Sequence, residues 1–453
     1  MAHGEPAEWN ALASDLQTHV FSFVTKERRL WRLRCVSRDM AALARARLLD
    51  VLAVDRRQFG AVAAVLGGRN LCLIGPAGCG KSRAVDTLKT RLGSRILITA
   101  TTGAAAHVIA GASTLHSALG IGLANEPIEK LVAKAKRSNA GRRVRQMETL
   151  LVDEASMLTA KLLEYIVEYV DRVRAGQRWQ LVLVFDPLQL EAVHGAYDGH
   201  VYESSVLREL RMKAHVLNGQ HRQGADLTFF DILQRIRVGE ATMDDLGYLK
   251  ANSRQTPDLD APRIFCKRVN VAAFNAQRLS ALPGWAKTFE AEDEGAGAAS
   301  LPPDAIVTLK VGARVMLIRN IAQLKLHNGS VGSVTELSDE GATVLFDNGY
   351  TVPFTMAGEL SYFCNVDPQT QEVICSRRQL PLTLCWALTI HKSQGRTLDS
   401  ANVDLSEAFA GAMAYVALSR VRTLQGLHIA GMALSTLNRP PLKGLAFWKK
   451  LVK

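Results

Sequence analysis

The chain has 453 residues, more than one compact core usually holds, so about two to four globular units are expected. No apolar run approaches the roughly 18 residues of a membrane span, and the start MAHGEPAEWN lacks the pattern of a secretory signal. Lysine and arginine outnumber aspartate and glutamate by 55 to 43, and this net charge of +12 favours a polyanionic partner without establishing one. We therefore expect an intracellular protein of the nucleus, cytoplasm or mitochondria, with no membrane partner.

The seven cysteines are odd in number and scattered, with no Cys-x-x-Cys pair of the kind that marks zinc or redox sites. They are Cys35, Cys72, Cys79, Cys266, Cys364, Cys375 and Cys385. We expect them to be reduced thiols, most of them buried.

The segment from Trp9 to about Ala53 has apolar residues at three-to-four spacing, such as Leu12, Leu16 and Val20, and contains no glycine. This pattern predicts a separate helical module, residues 1–53.

The next segment, residues 54–214, has the pattern of a parallel α/β domain. A short apolar strand leads through a Gly-rich turn into a helix, and further buried strands follow, two of which lead into carboxylate-bearing segments. The predicted elements are the strand Asn70–Ile74, the helix Lys81–Leu92 and the strands Arg95–Ala100, Thr149–Val152 and Gln180–Phe185. Ligands of such sheets bind at the carboxyl ends of the strands, so we expect a site there.

A second α/β block is predicted to begin near His215 and to be interrupted. Residues 215–308 and 379–453 form this block, with strands at Arg263–Cys266 and Leu382–Thr389. Between them, residues 309–378 are rich in short strands with two Asn-Gly turns, which predicts a small inserted β-barrel. The Glu290–Ser300 stretch, rich in Gly and Ala, is expected to be a flexible loop.

The run Gly75-Pro-Ala-Gly-Cys-Gly-Lys81-Ser82 satisfies G-x-x-x-x-G-K-[ST] and stands between a predicted strand and a predicted helix. Its backbone N–H groups would wrap the phosphates of ATP, Lys81 would neutralise the β and γ phosphates, and Ser82 would ligate Mg²⁺. The predicted nucleotide-binding residues are Gly75, Pro76, Ala77, Gly78, Cys79, Gly80, Lys81 and Ser82.

A carboxylate pair, Asp153 and Glu154, follows the strand at Thr149. On its own such a pair is more often a helix cap with a solvated neighbour, but beside a P-loop it indicates a magnesium nucleotide site. Asp153 would hold Mg²⁺ through water, and Glu154 would orient and deprotonate the attacking water.

With these motifs in order from Gln58 to about Gly426, the chain resembles superfamily-one helicases of the PIF-one type, with RecD-like relatives close behind. The resemblance implies two RecA-like P-loop NTPase domains with an SH3-like β insert. It also implies an ATP-dependent DNA helicase whose partners are single-stranded DNA and forked duplex. Such a helicase moves 5′ to 3′ as a monomer in replication, repair, recombination or telomere maintenance. An RNA helicase and a RecD-type recombination enzyme stay open, because no residue here distinguishes DNA from RNA.

Within that resemblance, Gln58 matches the glutamine that reads adenine, and Gln189 matches the glutamine that senses the γ-phosphate. Arg222, in Gln-His-Arg-Gln, and Arg420, in Tyr-Val-Ala-Leu-Ser-Arg, match the arginines that reach the γ-phosphate when the domains close. Gly395 joins the nucleotide site through the fifth motif.

The third motif departs from the family pattern. Phe185 stands where a glycine is usual, and Glu191 and Ala192 replace two prolines. Gln177-Arg-Trp-Gln also replaces a Pro-Phe-Gly-Gly run. A degenerate helicase serving as a ubiquitin-ligase adaptor is therefore an alternative. Retention of the six candidate catalytic residues argues against it; these are Lys81, Asp153, Glu154, Gln189, Arg222 and Arg420.

Two motifs resemble the family's single-strand contacts, Thr99 to Ala106 with Thr114-Leu-His, and Trp386 to Leu398. The predicted contacts are Thr101, Thr102, His116, His391, Lys392 and Ser393. For His116, a packed core histidine is the alternative. The basic run Lys134 to Arg145 is either a grip on duplex phosphates or a solvated loop.

The first module, through Leu12 to Leu16, Val20 to Val24 and Leu30 to Arg38, resembles an F-box. The resemblance implies binding to a Skp-type adaptor of ubiquitin ligases. Ala13 replaces the usual proline, and a simple packing extension of the first α/β domain is the alternative.

Overall fold

The computed structural model describes residues 56–109, 111–122, 124, 126–192, 198–219, 222, 226–324, 326, 328–366 and 372–452. The predicted helical module with its F-box resemblance lies outside these residues, as do Gln220, His221 and Gln223 of the fourth motif. In the part of the chain that is described, no helix is both long and apolar enough to cross a membrane. The six described cysteines are free thiols, five of them buried and Cys364 exposed.

The first α/β domain is built on a six-stranded parallel sheet of order β3-β2-β4-β5-β1-β6. Its strands are β1 (Leu71–Ile74), β2 (Ile96–Ala100), β3 (Ser113–Thr114), β4 (Thr149–Asp153), β5 (Gln180–Phe185) and β6 (Lys213–Val216). The central strands β1 and β5 are buried along their whole length, because helices cover both faces of the sheet. The predicted parallel α/β fold is therefore confirmed.

Helices of the first domain pack on both faces of this sheet. They are α1 (Arg56–Leu66), α2 (Lys81–Leu92), α3 (Gly103–Val108), α4 (Leu115–Leu119), α5 (Ile128–Ala135), α6 (Asn139–Gln146), α7 (Ala160–Val173) and α8 (Val206–Glu209). On one face α1 and α2 pack on the sheet through residues such as Val62 and Leu88, and on the other α7 packs through Ile166 and Val170.

The predicted boundary at residue 214 is wrong, because β6 pairs in parallel with β1. The sequence gives little sign of this edge strand, since Lys213 and Ala214 are exposed and His215 and Val216 are only half-buried. The first domain therefore continues through Val216, and the chain leaves it at Leu217, whose amide donates to the Ile74 carbonyl at 2.7 Å.

The second α/β domain has a four-stranded parallel sheet of order β18-β7-β19-β20. These strands are β7 (Arg263–Phe265), β18 (Ala387–Thr389), β19 (Ala401–Asp404) and β20 (Leu427–Ala430). Its helices are α9 (Leu227–Val238), α10 (Met243–Asn252), α11 (Arg268–Ala281), α12 (Ile390–Ser393), α13 (Met413–Leu418), α14 (Leu434–Leu437) and α15 (Leu442–Leu451).

The chain between β7 and β18 forms a segment rich in short strands, with wider limits than the predicted insert. Its strands are β8 (Lys287–Glu290), β9 (Glu292–Glu294), β10 (Ile306–Leu309), β11 (Arg314–Leu317), β12 (Val331–Leu337), β13 (Gly341–Phe346), β14 (Thr351–Thr355), β15 (Tyr362–Val366), β16 (Val373–Arg378) and β17 (Leu382–Leu384). They form an antiparallel sheet of order β14-β13-β12-β11-β17 and two smaller sheets, β10-β8 and β15-β16-β9.

Two predictions about this insert are wrong, and in both cases strand pairing with distant residues is the reason. Part of the expected loop Glu290–Ser300 forms β9, where Asp293 accepts two hydrogen bonds from the guanidinium of Arg377. The single strand expected at Leu382–Thr389 is two strands, because β17 pairs with β11 of the insert and β18 pairs with β7. The insert therefore runs from about Lys287 to Leu384 rather than from 309 to 378.

Candidate functional site

A cavity of about 310 Å³ lies between the two α/β domains. The first domain contributes the turn before α2 and the carboxyl end of β4, and the second contributes the segments after α12 and α13. All six candidate catalytic residues line this cavity; they are Lys81, Asp153, Glu154, Gln189, Arg222 and Arg420. The structure thus brings together residues that are up to several hundred positions apart in the sequence.

The loop between β1 and α2 depends on its glycines. Gly78 and Gly80 have φ of 78° and 87°, in the left-handed region that glycine adopts without strain. A Cβ atom on Gly75 would lie 2.4 Å from the carbonyl oxygen of Leu217 and 2.6 Å from Sγ of Cys79. The loop therefore brings backbone N–H groups to the positive end of the α2 dipole, an arrangement that binds phosphate.

Lys81 and Gln58 hold the loop from two sides. Nζ of Lys81 donates to the carbonyl oxygens of Gly75 and Pro76 at 2.7 and 2.8 Å. Gln58, on α1, is only 2% exposed, and its Nε2 donates to the carbonyl oxygen of Gly80 at 3.3 Å. Gln58 is thus buried directly beside the loop.

The acidic pair stands at the carboxyl end of β4. Burial and the neighbouring Glu154 carboxylate raise the pKa of Asp153 to about 7, and Asp153 Oδ1 accepts a hydrogen bond from the Glu154 amide at 2.9 Å. Glu154 has a left-handed φ of 52°, and its Oε2 accepts a hydrogen bond from Nε2 of Gln394 at 3.0 Å. Gln394 belongs to the second domain, so this bond spans the cleft.

Sequence reasoning missed Gln394 as a site residue. Its signal was its position between Ser393 and Gly395 in the fifth motif. In the structure its side chain is 2% exposed and its Oε1 has no hydrogen-bond partner within the described residues.

The residues present fit a magnesium ion that is held mainly by a nucleotide. No group of three or more His, Cys, Asp or Glu side chains among the described residues is arranged to hold a metal ion. Mg²⁺ at phosphate sites needs only one or two carboxylates, with phosphate oxygens and water completing its shell. The raised pKa of Asp153 shows a carboxyl group that a nearby cation would stabilise in its charged form, and Ser82 lines the same cavity.

Gln189 follows β5 and is 2% exposed. Its Oε1 is buried and accepts no hydrogen bond from any described residue, although the side chain lines the cavity. A buried acceptor without a donor is costly, so this atom suits a water molecule or a ligand in the cleft.

Lys81 and three arginines, Arg222, Arg420 and Arg422, give the cavity its positive charge. Arg420 is 1% exposed, and its guanidinium donates to the Val416 carbonyl at 2.7 Å and to Ser419 Oγ at 2.8 Å. Burial and then the charge of Arg222 lower the pKa of Arg420 to about 10, so it remains charged at neutral pH. Arg222 donates to the Ser419 carbonyl at 3.0 Å, while its amide donates to the Gly78 carbonyl at 3.3 Å. Arg222 thus joins the second domain to the loop.

The residues predicted to contact single-stranded DNA fall into two groups. Thr102 caps α3 by accepting from the Ala105 amide at 3.1 Å, and the half-buried His116 and His391 lie on α4 and α12. Burial lowers the pKa of both histidines, so both are neutral at pH 7. Lys392 is exposed. These residues follow the carboxyl ends of parallel strands in their respective sheets.

The other two predicted contacts are turned inward. Ser393 is fully buried, and its hydroxyl donates to the Ile390 carbonyl at 2.8 Å, so it holds the α12 turn instead of facing a strand. The hydroxyl of Thr101 donates to the Glu154 carbonyl at 3.0 Å, which ties the first strand motif to the acidic pair.

The basic run Lys134 to Arg145 is divided by its contacts. Arg143 donates to the carbonyls of Ser117 and Ala118, and Arg145 donates to that of Ala135, so these two arginines hold helices together. Lys136, Arg137 and Arg142 are exposed and are the remaining candidates for contact with phosphate.

Family models match two parts of the chain. Residues 53–256 match an AAA domain, and residues 298–337 match the 2B domain of the DNA helicase Pif1. Among curated relatives, the ATP-dependent DNA helicase PIF1 of Homo sapiens is 34% identical over 405 residues, covering 83% of this chain and 60% of the relative. The chain therefore spans less than two thirds of the length of that human relative. The ATP-dependent DNA helicase Pif1 of Bdellovibrio bacteriovorus is 30% identical over 408 residues, covering 87% of this chain and 91% of the relative.

Solved structures show the same similarity. Pif1 helicase from Candida albicans superposes with a TM-score of 0.77 at 30% identity, covering 88% of this chain and 99% of that one. Bacteroides Pif1 bound to single-stranded DNA superposes with a TM-score of 0.72 at 27% identity, covering 87% and 96%.

Proposed function

Because the chain belongs to the Pif1 family of DNA helicases, we propose that it is an ATP-dependent DNA helicase that moves 5′ to 3′ on single-stranded DNA and unwinds forked duplex. The observation that carries this proposal is the cavity shared by two domains, with Lys81, Asp153 and Glu154 on one wall and Arg420 on the other. The polarity, and roles in replication, repair, recombination or telomere maintenance, rest on the family resemblance.

Hydrolysis can be assigned to individual side chains. Lys81 would exchange its two carbonyl acceptors for the β and γ phosphates of ATP. Glu154 would accept the proton of the attacking water, while Gln394 keeps that carboxylate oriented from the opposite domain. Mg²⁺, held by Ser82 and Asp153 together with the nucleotide, would neutralise charge on the phosphate oxygens.

Closure of the cleft would stabilise the transition state. Arg420 and Arg222 would place positive charge against the transferring phosphoryl group, an effect that is strong because the site is buried. The guanidinium groups of both arginines donate hydrogen bonds to Ser419, so they would act on the phosphoryl group together.

A DNA strand bound to both domains would respond to the same closure of the cleft. Thr102 and His391 lie on different domains, each just beyond the carboxyl end of a parallel strand, and Thr101 is bonded directly to the backbone of Glu154. A DNA strand that contacts both domains would therefore be coupled to the hydrolysis site. The coupling would pass through the Thr101–Glu154 hydrogen bond and through the short segments that join Thr102 and His391 to their strands. Structures of Bacteroides Pif1 bound to single-stranded DNA, and in complex with ADP-AlF3 and single-stranded DNA, support this assignment for the family.

The test of the proposed function is ATPase activity measured with and without single-stranded DNA. We expect DNA to stimulate turnover, and we expect DNA affinity to fall with salt at a double-logarithmic slope of about 0.7 per neutralised phosphate. Partial duplexes with either a 5′ or a 3′ tail measure polarity, and only the 5′-tailed substrate should be unwound. RNA of equal length is the comparator. Equal turnover with and without every nucleic acid would contradict a motor.

A Skp-type adaptor is proposed as a separate partner of residues 1–53, on the sequence resemblance alone. Deleting residues 1–49 should leave DNA-stimulated ATPase activity within about twofold of that of the full chain. The reason is that the residues predicted to bind ATP and single-stranded DNA begin at Gln58. The same deletion should abolish binding to the adaptor in a pull-down with purified components. Unfolding of the shortened chain, seen by thermal denaturation, would instead indicate a packing extension.

A further inference from the structure

A buried ion pair joins the two α/β domains beside the P-loop. Arg237, on α9 of the second domain, contacts Asp186, which directly follows β5 of the first. The guanidinium donates to Asp186 Oδ1 at 2.6 Å through one NH group, and its Nε lies 3.2 Å from both carboxylate oxygens. The two side chains are 2% and 0% exposed. A pair so completely removed from water persists only when its remaining donors and acceptors are also satisfied.

Tyr415 extends this pair to the P-loop. Its hydroxyl donates to Asp186 Oδ2 at 3.1 Å and accepts a hydrogen bond from the backbone N–H of Ala77 at 2.7 Å. The tyrosine is itself 2% exposed and belongs to α13 of the second domain. Two residues of the second domain, Arg237 and Tyr415, therefore meet on one carboxylate of the first, and one of them holds a P-loop amide.

The direction of the hydrogen bonds depends on charge. The Tyr415 oxygen accepts from the Ala77 amide while its own proton points to Asp186. Burial alone would raise the pKa of Asp186, but the charge and hydrogen bonds of Arg237 outweigh it and keep the pKa below its usual value. Burial and the Asp186 charge raise the pKa of Tyr415, so it keeps its proton. We call the three connected side chains Arg237, Asp186 and Tyr415 the relay. The relay is stable with Arg237 and Asp186 as an ion pair and Tyr415 neutral.

The C-terminal helix α15 covers the outer side of this relay. The guanidinium carbon of Arg237 lies 4.0 Å from the ring centroid of Trp448, a cation–π contact. The neighbouring Phe447 stacks on Phe185 with centroids 6.4 Å apart and on Tyr202 at 4.8 Å. Phe185 is the residue that replaces the glycine of the family pattern, and in this structure its ring packs against α15.

The helix also passes the Asp186 turn closely. A Cβ atom on Gly444 would lie 1.9 Å from the carbonyl oxygen of Pro187, so only glycine allows this approach. The helix thus contacts the residues on both sides of Asp186 as well as its partner Arg237.

We propose that Arg237 and Trp448 are positioning residues of the nucleotide site, which act through Asp186 and Tyr415 to fix the Ala77 amide of the P-loop against the second domain. The proposal rests on the proposed ATPase function for its kinetic consequence. The P-loop belongs to the first domain and binds nucleotide there, whereas the relay forms only where the second domain meets it. Loss of the relay should therefore slow turnover more than it weakens nucleotide binding.

The kinetic test uses Tyr415→Phe, Trp448→Leu and the double variant. Tyr415→Phe removes the hydroxyl together with both of its hydrogen bonds, to Asp186 and from Ala77, and a loss of this size corresponds to about a tenfold change. We expect each single variant to lower the DNA-stimulated kcat about tenfold, with KM for ATP changed less than about threefold. Because Tyr415 and Trp448 act on the same ion pair, the double variant should be little slower than the slower single variant. Trp448→Tyr, which keeps a ring face for the guanidinium, should restore most of the rate.

Tyr169→Phe is the matched control. It removes a buried tyrosine hydroxyl that donates to the Leu119 carbonyl at 2.9 Å and not to Asp186, and it should keep kcat within about twofold. The proposal would be overturned by an equal loss of kcat in this control or by no loss of kcat in Tyr415→Phe. It would also be overturned if the losses of kcat in the two single variants multiplied in the double variant.

Hydrogen exchange separates this proposal from the proposed function. In the full chain without nucleotide, the peptide containing Ala77 should exchange faster in Tyr415→Phe and in Trp448→Leu than in the parent or in Tyr169→Phe. Absence of ATP turnover in the parent chain would contradict the proposed function and leave this readout intact. Unchanged exchange of the Ala77 peptide in both variants would overturn the relay even if turnover is normal.

Discussion

Replacing Glu154 with glutamine should lower ATP turnover by about 10² to 10⁴ while leaving nucleotide binding almost unchanged. The carboxylate lines the cavity and is the group placed to accept a proton from water. Glutamine has nearly the same shape, and its Oε1 can still accept the hydrogen bond that Gln394 donates at 3.0 Å. The change therefore removes proton acceptance and preserves the geometry. DNA-stimulated ATPase and titration with a fluorescent ADP analogue measure the two effects.

Lys81→Ala provides the contrast for this experiment. Lys81 is the cation nearest the P-loop carbonyls, so its loss should weaken nucleotide binding as well as turnover. If Glu154→Gln kept the turnover of the parent chain, the assignment of the proton acceptor would be wrong. If both variants lost binding equally, the two residues would not have separate roles.

The second large effect is expected from Arg420. Arg420→Ala should lower turnover by about 10³ to 10⁵, the range found for arginines that stabilise a transferring phosphoryl group. The arginine is buried beside Arg222, and its pKa of about 10 keeps it charged at neutral pH, so the cavity has a fixed cation where charge develops. Turnover at saturating ATP and DNA, together with ADP affinity, measures the loss.

The control for Arg420 must separate charge from folding, since the side chain also bonds Val416 and Ser419. Arg420→Lys keeps the charge and loses the forked geometry, so its turnover should fall less than that of Arg420→Ala. Thermal denaturation shows whether either variant is folded. A folded Arg420→Ala protein with normal turnover would exclude the arginine from catalysis.

The sequence determined those features whose causes are local. The helix predicted at Lys81–Leu92 and the strand predicted at Gln180–Phe185 match α2 and β5 residue for residue. A Gly-rich turn between an apolar run and a helix start is specified by neighbouring residues, and so is the acidic pair after β4. The P-loop and the acidic pair gave Lys81, Asp153 and Glu154, and the motif resemblance added Gln189, Arg222 and Arg420. The structure brings all six candidate catalytic residues to one cavity.

Only the tertiary structure decided which distant segments pair. The strand β6 joins the first sheet, β9 joins the insert, and the stretch Leu382–Thr389 is shared between two sheets. Likewise, Glu154 bonds Gln394 across 240 positions, and Tyr415 bonds Asp186 across 229. An edge strand or a single polar side chain carries little periodicity of its own. Whether such a strand or side chain is paired, and with which residues, depends on the partner that folding brings next to it. Hydrogen bonds in an interior that excludes water are strong enough to stabilise that pairing.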